Sequence, residues 1–457
     1  MHYTSLLSLL ACCGTVLCNS EEVLAKHEGH GGIDGWFTGK RANAFYGNWD
    51  IYARNFTVTQ IPVSKLTHIS YAFCNISTTT GEVVLSDENA DLRFAYPGDP
   101  KGLTNATSLK NVYGNVKQLF LLKKKNRTLK TMLSVGGYSF SPYWSAMLAS
   151  EPKRARFASS AVKLMTDLGF DGLDYDYEYV TNASQAADLI DLLKKTRTLM
   201  DEHSQKNSLP RFSLSFDGPA GPAKYTLLDM RGMDRYLDFW NFMVGQIQSS
   251  ENTLYKLTLL QAFDYSGGWD TIAGHAQNLY GENSKGDAIA TPFNTSTGIN
   301  YYIDNGIAPS KINLGNPLYG HAFLNTTGPG QRFNGTGIGS FGEAGGNWDT
   351  KALPLRANYS SAEVTELKDI GASYSYSAKD KMMISFDTPD IAKMKARYAM
   401  KKGLGGAMWW EISQDKSGKD SLVGSFVGEL RGLEKSMNNL KYPTSVYENM
   451  RLGFPDN

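Results

Sequence analysis

From residue 42 onward, apolar runs rich in β-branched and aromatic residues alternate with amphipathic stretches. The amphipathic stretches repeat apolar residues every three or four positions, as helices with one buried face do. Such alternation is typical of the α/β class, and this number of runs predicts a closed (β/α)8 TIM barrel. The predicted strands lie in ANAFYGNW, KLTHISYAF, LKTMLSVGG, FDGLDYDYEY, RFSLSFDGPAG, YLDFWNFM, SKINLGNPLYG and GLGGAMWWEIS.

The barrel pattern is interrupted between the seventh and eighth strands. Residues 323–387 contain glycine-rich turns, a hairpin pattern in ASYSYSAKDKMMISF and a helical pattern in SSAEVTELKDIG. We therefore predict a small α+β insertion domain at 323–387 that could wall a cleft at the barrel rim. The barrel would then comprise residues 42–322 and 388–457.

A second interruption falls within the sixth strand, where VGQIQSSENTLYKLTLLQ occupies residues 244–261. An insertion in mid-strand would break the hydrogen-bond ladder of a closed barrel. The codons of this segment fit the signals that mark an intron. A Val codon begins with GT, as a splice donor does, and Gln can be encoded by CAG, which matches a splice acceptor. The codons of Leu257-Thr258 can contain a branch signal. We hypothesise that 244–261 is a translated, unspliced intron, with an aberrant rim loop as the alternative.

The first residues carry an apolar run, Leu6 to Leu17, that is too short to span a bilayer and is followed by small residues. This pattern predicts a signal peptide at 1–20 and a secreted, extracellular protein. Residues 21–41 are rich in Gly and His and end in Lys40-Arg41, so we expect a leader or propeptide there. Only Cys74 lies clearly in the mature chain, which predicts no internal disulfide.

Sequons for N-glycosylation agree with secretion. They occur at Asn55, Asn75, Asn105, Asn126, Asn182, Asn294, Asn325, Asn334 and Asn358.

The charge balance bears on the partner. Lys and Arg number 46 against 45 Asp and Glu, which gives no support to a nucleic-acid or anionic-membrane partner.

Aromatic residues make up 12% of the chain, with 25 Tyr and 8 Trp. They serve either a large core or a groove that stacks on flat ligand faces such as sugar rings. We expect no cofactor and a monomeric protein.

The stretch FDGLDYDYEY places acidic residues among large apolar ones. Residues two apart share one face of a strand, so Asp174, Asp176 and Glu178 would project together into the barrel. Three ionised carboxylates there would repel each other, which favours a proton on at least one of them. Glu178 comes last, at the strand end where barrel active sites form, and is the candidate general acid.

A carboxylate cluster also fits a Mg²⁺ or Ca²⁺ site, which is the alternative interpretation. No further Asp or His cluster follows the neighbouring predicted strands, so we predict no metal. Asp171 opens the strand and is expected to be structural.

These residues resemble glycoside hydrolase family 18, the chitinases, and specifically the fungal secreted endochitinase type. The family signature D-x-x-D-x-D-x-E is matched by residues 171–178 and its S-x-G-G motif by 134–137. The segments LGNPLYG and GGAMWWEIS are similar to the family's later strands. The resemblance spans residues 42 to 455, nearly the whole mature chain.

The resemblance implies substrate-assisted catalysis with retention of configuration. Glu178 would protonate the glycosidic oxygen while the sugar's own N-acetyl group attacks C1. Asp176 would hold the acetamido N–H, with Asp174 and Ser134 behind it, and Asp264 would support the acid. The implied substrate is chitin or a chitooligosaccharide with β-1,4-linked N-acetylglucosamine.

The resemblance also implies a set of substrate-binding positions. They are Trp410 as the floor under the reacting sugar, with Tyr179, Trp49, Ser134, Gly137, Tyr138, Met243, Tyr319 and Phe263 around it. Tyr138 and Phe263 depart from the family's usual Trp and Tyr. Since Phe263 stands where a Tyr normally bonds the acetamido group, we expect a slow or altered enzyme rather than an inactive one.

Two other functions remain open from the sequence. A family 18 chitin-binding lectin would have weak or no activity, although such proteins typically lose the acid that Glu178 retains. An endo-β-N-acetylglucosaminidase acting on N-glycans would share the barrel and the acidic strand.

Overall fold

Each predicted apolar run contains a β-strand in the computed structural model, because β-branched and aromatic side chains suit a sheet that is buried on both faces. The barrel strands are β1 (Arg41–Gly47), β2 (His68–Ile76), β4 (Lys130–Gly136), β5 (Gly172–Asp176), β6 (Ser213–Pro219), β7 (Phe239–Met243), β8 (Ile312–Pro317) and β14 (Gly406–Trp410). The short β3 (Val83–Leu85) pairs antiparallel with β2.

The eight barrel strands are parallel and form a closed ring. Their order is β1-β14-β8-β7-β6-β5-β4-β2, and β1 also pairs with β2. Closure leaves no free edge in the barrel, so every strand has two hydrogen-bonded neighbours. The predicted (β/α)8 TIM barrel is thereby confirmed.

The structure describes residues 39–100, 110–243, 265–281, 289–355 and 362–455. The predicted signal peptide at 1–20 and most of the leader at 21–41 lie outside these ranges. The segment 244–261, Phe263 and Asp264 also lie outside them.

Helices on the outside of the barrel connect its strands. The described α-helices are α1 (Gly114–Lys125), α2 (Pro142–Leu148), α3 (Glu151–Asp167), α4 (Ala183–Asn207), α5 (Pro222–Tyr225), α6 (Met230–Asp234), α7 (Thr295–Asp304), α8 (Pro389–Lys401), α9 (Leu422–Gly428) and α10 (Glu448–Arg451). The side chain of Asn182 begins α4 by accepting the Gln185 N–H at 3.0 Å. Across the described ranges, no helix combines the length and apolarity that crossing a bilayer requires.

The insertion between β8 and β14 is built on a five-stranded antiparallel sheet in the order β10-β9-β13-β12-β11. Its strands are β9 (Tyr319–Leu324), β10 (Asn347–Asp349), β11 (Glu363–Leu367), β12 (Ala372–Ser377) and β13 (Met382–Ser385). The predicted hairpin is confirmed, since β12 pairs with β13.

The predicted helix in SSAEVTELKDIG is wrong where the chain is described, because residues 363–367 form β11. A helix of this length is marginal without tertiary support. Gly371 adopts a φ of 62°, and this allows a tight turn after which β11 pairs with β12. The ladder of the sheet therefore overrides the helical pattern.

The inside of the barrel is polar at mid-height. Asn313 donates to the Asn241 side-chain oxygen at 3.0 Å, and Asn43 donates to the same oxygen at 3.4 Å. Asn43 also bonds the Ser70 hydroxyl at 3.1 Å. Each of these four side chains is fully buried, so their mutual hydrogen bonds offset the cost of removing them from water. This layer supports the acidic residues of β5.

Candidate active site

Asp174 is held by the strands on both sides of β5. Strand register places it opposite Ser134 of β4 and Ser215 of β6. Both hydroxyls donate to its carboxylate, at 2.8 and 2.5 Å, and Asn241 adds a donor at 3.3 Å. Burial raises the pKa of Asp174, while these hydrogen bonds oppose that rise.

Asp217 on β6 is a fourth acid, close to the predicted row. Its side chain is fully buried beside that of Asp174. Burial raises the pKa of Asp217 well above its ordinary value, and the charges of Asp174 and Asp176 raise it further.

Asp176 lies directly above this pair and is 4% exposed. Burial raises the pKa of Asp176 well above its ordinary value, and the negative charges of Glu178 and Asp174 raise it further. Its Oδ1 atom is buried and has no hydrogen-bond partner among the described residues. A donor on a bound ligand could therefore satisfy this atom.

Glu178 lies just beyond the end of β5, which finishes at Asp176. Its backbone N–H donates to the Ser141 hydroxyl at 2.8 Å, which holds the loop against the segment after β4. The side chain is half-buried and faces open space on two sides. Glu178 therefore has the partial solvent contact that a proton-transferring group needs.

Two glycines at the end of β4 allow the close packing of this region. A Cβ on Gly136, which has a φ of 118°, would lie 2.0 Å from the Asp176 carbonyl oxygen. A Cβ on Gly137, with a φ of 75°, would lie 2.5 Å from the Phe73 ring. The S-x-G-G motif thus meets a steric requirement for bringing β4 and β5 together.

An aromatic cavity of about 270 Å³ opens above Asp176. Trp410 forms its floor, stacked on Phe73 with ring centroids 5.5 Å apart and tilted against Phe45 at 5.3 Å. Trp49 is 38% exposed and lies 6.3 Å from Trp410. The cavity is lined by Phe45, Trp49, Phe73, Ser86, Tyr138, Ser139, Phe140, Asp176, Glu178, Asp217, Met243, Met408 and Trp410.

The acid that follows each of these tryptophans is buried beneath the cavity. Asp50 follows Trp49, Glu411 follows Trp410, and the two buried carboxyl groups lie close together on either side of Arg54 Nε. Burial raises the pKa of Asp50 well above its ordinary value, and the Glu411 charge adds to this effect. Arg54 Nε lies 3.8 Å from Asp50 and 3.7 Å from Glu411, so it partly neutralises the pair.

Arg54 also reaches the insertion. Its guanidinium contacts Asp349 and Glu343, each at 2.7 Å. Arg54 is mostly buried, where an ion pair is screened less than at the surface. A single cation therefore joins the two tryptophan-bearing segments to the insertion sheet.

A second cavity, of about 400 Å³, lies on the other side of Glu178. It shares Tyr138, Ser139 and Glu178 with the aromatic cavity. Its remaining lining residues are Ser141, Pro142, Ser145, Tyr177, Tyr179, Thr181 and Lys224. Glu178 thus stands at the junction of two adjoining cavities.

The structure brings most of the predicted site residues together. Asp176, Glu178, Trp49, Tyr138, Met243 and Trp410 line the aromatic cavity, Asp174 and Ser134 lie beneath it, and Gly137 packs behind Phe73. Tyr179 lines only the second cavity. Tyr319 lines neither cavity: it is 3% exposed in β9, with its ring centroid 5.4 Å from that of His321. Phe263 and Asp264 cannot be placed, being outside the described ranges.

The predicted site residues did not include seven of the lining residues, which are Phe45, Phe73, Ser86, Ser139, Phe140, Asp217 and Met408. The alternation rule could have found two of them. Asp217 lies two positions after Ser215, which faces Asp174, and Met408 lies two positions before Trp410. Within the described chain, no group of three or more His, Cys, Asp or Glu side chains is arranged to hold a metal ion.

Comparisons with known proteins bear on this arrangement. Residues 41–415 match the family model described as Glycosyl hydrolases family 18. The chain is 41% identical over 423 residues to Endochitinase 1 of Metarhizium robertsii, which covers 92% of each chain. It is 38% identical over 414 residues to Chitinase 1 of Aphanocladium album, which covers 90% of each. A solved chitinase from Bacillus thuringiensis superposes with a TM-score of 0.75 at 25% identity, covering 88% of this chain and 71% of that one.

Proposed function

Because this chain belongs to glycosyl hydrolase family 18, we propose that it is a secreted endochitinase that retains anomeric configuration by substrate-assisted catalysis. The position of Glu178 carries the proposal, since it stands between two cavities with Asp176 directly beneath. A polysaccharide passing from one cavity to the other would place a glycosidic bond at Glu178. The relatives named as chitinases support chitin as that polysaccharide.

Glu178 donates its proton to the glycosidic oxygen as the bond to C1 breaks. The oxygen of the neighbouring acetamido group attacks C1 from the opposite face and forms a cyclic oxazolinium ion. Water then attacks C1 with Glu178 as the base, and the bond from C1 to the acetamido oxygen breaks. The proton returns to Glu178, the acetamido group is restored and the original configuration is left. Two displacements at C1 account for retention.

Asp176 accepts the acetamido N–H through its buried, otherwise unpartnered Oδ1. This hydrogen bond orients the acetamido oxygen toward C1 and stabilises the positive charge that develops on the ring. Asp174, with Ser134 and Ser215 donating to it, holds negative charge below Asp176. Trp410 supplies a flat apolar surface for the reacting sugar, and indole stacks well on a pyranose face.

The location and assembly of the protein are part of the proposal. The apolar run of the predicted signal peptide and the sequons support a secreted glycoprotein. The net charge of +1 suits a neutral polysaccharide rather than a nucleic acid or an anionic membrane. We propose a monomer that works without a cofactor.

We expect the protein to cleave hexamers of N-acetylglucosamine internally and to leave glucosamine hexamers intact, because only the former carry the attacking acetamido group. The fresh products should be β-anomers by NMR.

The full chain should be compared with a variant lacking 244–261, which we expect to be more active if that segment derives from an intron. Release of N-glycans from a high-mannose glycoprotein without cleavage of the hexamer would contradict the proposal, as would α-anomers.

Asp217→Asn should shift the alkaline limb of the pH–kcat/KM profile to lower pH. Since the pKa of Asp217 is raised, the wild-type group is protonated at low pH and loses its proton as pH rises. That loss adds a negative charge beside Asp174 and Asp176 and so helps the acidic cluster to keep the proton of Glu178, whereas asparagine stays neutral at every pH. The profile on a chitooligosaccharide measures the shift. An unchanged alkaline limb would show that Asp217 does not control it.

A further inference from the structure

The second cavity is lined almost entirely by uncharged groups. Apart from Glu178 at the junction, its polar lining consists of hydroxyls and the ammonium of Lys224. Tyr138 and Tyr179 offer flat faces of the size of a sugar ring. The cavity therefore suits a neutral sugar chain and contains one fixed positive charge.

The direction of the chain follows from the proposed function, on which this inference rests. The reacting sugar must lie in the aromatic cavity, because Asp176 lines that cavity and holds its acetamido group. Glu178 protonates the oxygen on the other side of C1. The sugars of the leaving group therefore occupy the second cavity.

Lys224 lies in α5, directly after β6, and is half-buried. Its ammonium has no carboxylate partner among the described residues, and burial lowers its pKa from the ordinary value. A partly desolvated cation repels other cations more strongly than one in water, because the local dielectric is lower. It can also donate a hydrogen bond to a carbonyl oxygen.

We propose that Lys224 makes the enzyme select acetylated over deacetylated sugars on the leaving-group side of the cleaved bond. A protonated glucosamine would bring an ammonium toward Lys224, whereas N-acetylglucosamine is neutral and offers an acetyl oxygen. The enzyme would then cut partially deacetylated chitin chiefly where acetylated sugars follow the scissile bond.

The test is a digest of partially N-acetylated chitosan by the full chain, in buffer acidic enough to protonate the glucosamine. Mass-spectrometric sequencing identifies the first two sugars at each new non-reducing end, which are the sugars that occupied the leaving-group side. For the wild type, we expect glucosamine there about three- to tenfold less often than in the polymer. Adding about 1 M salt should reduce this bias, since charges beyond about 3 Å are then screened.

Lys224→Gln removes the charge but keeps a hydrogen-bond donor, and Lys224→Glu reverses the charge. We expect the frequency of glucosamine to rise in the first variant and to rise further in the second. Lys194→Met is the matched control, because Lys194 is exposed on α4 and lines neither cavity. The Lys194→Met variant should show the same bias against glucosamine on the leaving-group side as the wild type.

The outcomes separate this inference from the proposed function. If the wild type fails to cleave the fully acetylated hexamer, the proposed function is wrong. If it cleaves the hexamer but shows no bias, or a bias that salt and Lys224→Gln leave unchanged, the role of Lys224 is wrong. The salt series needs only the wild-type protein, so it decides the question even if a variant fails to fold.

Discussion

Replacing Glu178 with Gln should lower kcat on N-acetylglucosamine oligomers by about 10²–10⁴, the usual contribution of a general acid. The amide has nearly the same shape as the carboxyl group, but it cannot deliver a proton to the leaving oxygen. KM should change much less than kcat, because in the proposed mechanism Trp410 and Asp176 would still hold the reacting sugar. Steady-state kinetics on the hexamer, together with calorimetric binding, measures both effects.

Glu202→Gln is the matched control for this variant. Glu202 is exposed on α4, lines neither cavity, and should retain wild-type rates when substituted. If Glu178→Gln kept more than about a tenth of the wild-type kcat, Glu178 would not be the general acid. If neither the wild type nor this variant hydrolysed chitin but both bound it, the protein would be a lectin.

Replacing Gly136 with Ala should destabilise the protein by more than about 4 kcal/mol or prevent its folding. The new Cβ would lie 2.0 Å from the Asp176 carbonyl oxygen, and the φ of 118° is strained for any residue with a side chain. Because the clashing atom is backbone, relief requires β4 and β5 to separate. The barrel would then lose ladder bonds at the height of the acidic residues.

Denaturant unfolding of the purified variant measures this loss. Gly428→Ala is the control, because a Cβ there meets no atom within 4 Å. Gly428 ends α9, so alanine should leave stability unchanged or raise it slightly. A Gly136→Ala protein with wild-type stability would contradict the steric role of this glycine.

The periodic part of the fold was predictable from the sequence. Alternation within FDGLDYDYEY correctly assigned Asp174 and Asp176 to the barrel interior and Tyr175 to the helix side, where its hydroxyl bonds Thr196 at 2.8 Å. The strand nevertheless ends at Asp176, so Glu178 is positioned by the following loop and its bond to Ser141. Loop contacts of this kind have no periodic signal.

The remaining errors have two physical causes. Residues 363–367 carry a helical pattern, but their pairing with β12 decides their structure, and a pattern within one segment does not encode that partner. Asp217 was overlooked because it is a single acid in an apolar strand. Its importance comes from strand register, which sets β6 beside the acidic β5.

The contacts of Arg54 have a consequence for modular engineering. The insertion could be excised from the chain without cutting a barrel strand, as if it were an independent accessory. The ion pairs show that the insertion is not independent of the barrel. Its excision would remove Asp349 and Glu343 and leave Arg54 with only Asp50 and Glu411 as ion-pair partners. A trimmed barrel would therefore suffer its damage at the buried carboxyl groups of Asp50 and Glu411, next to the tryptophans of the aromatic cavity, rather than at the excision point.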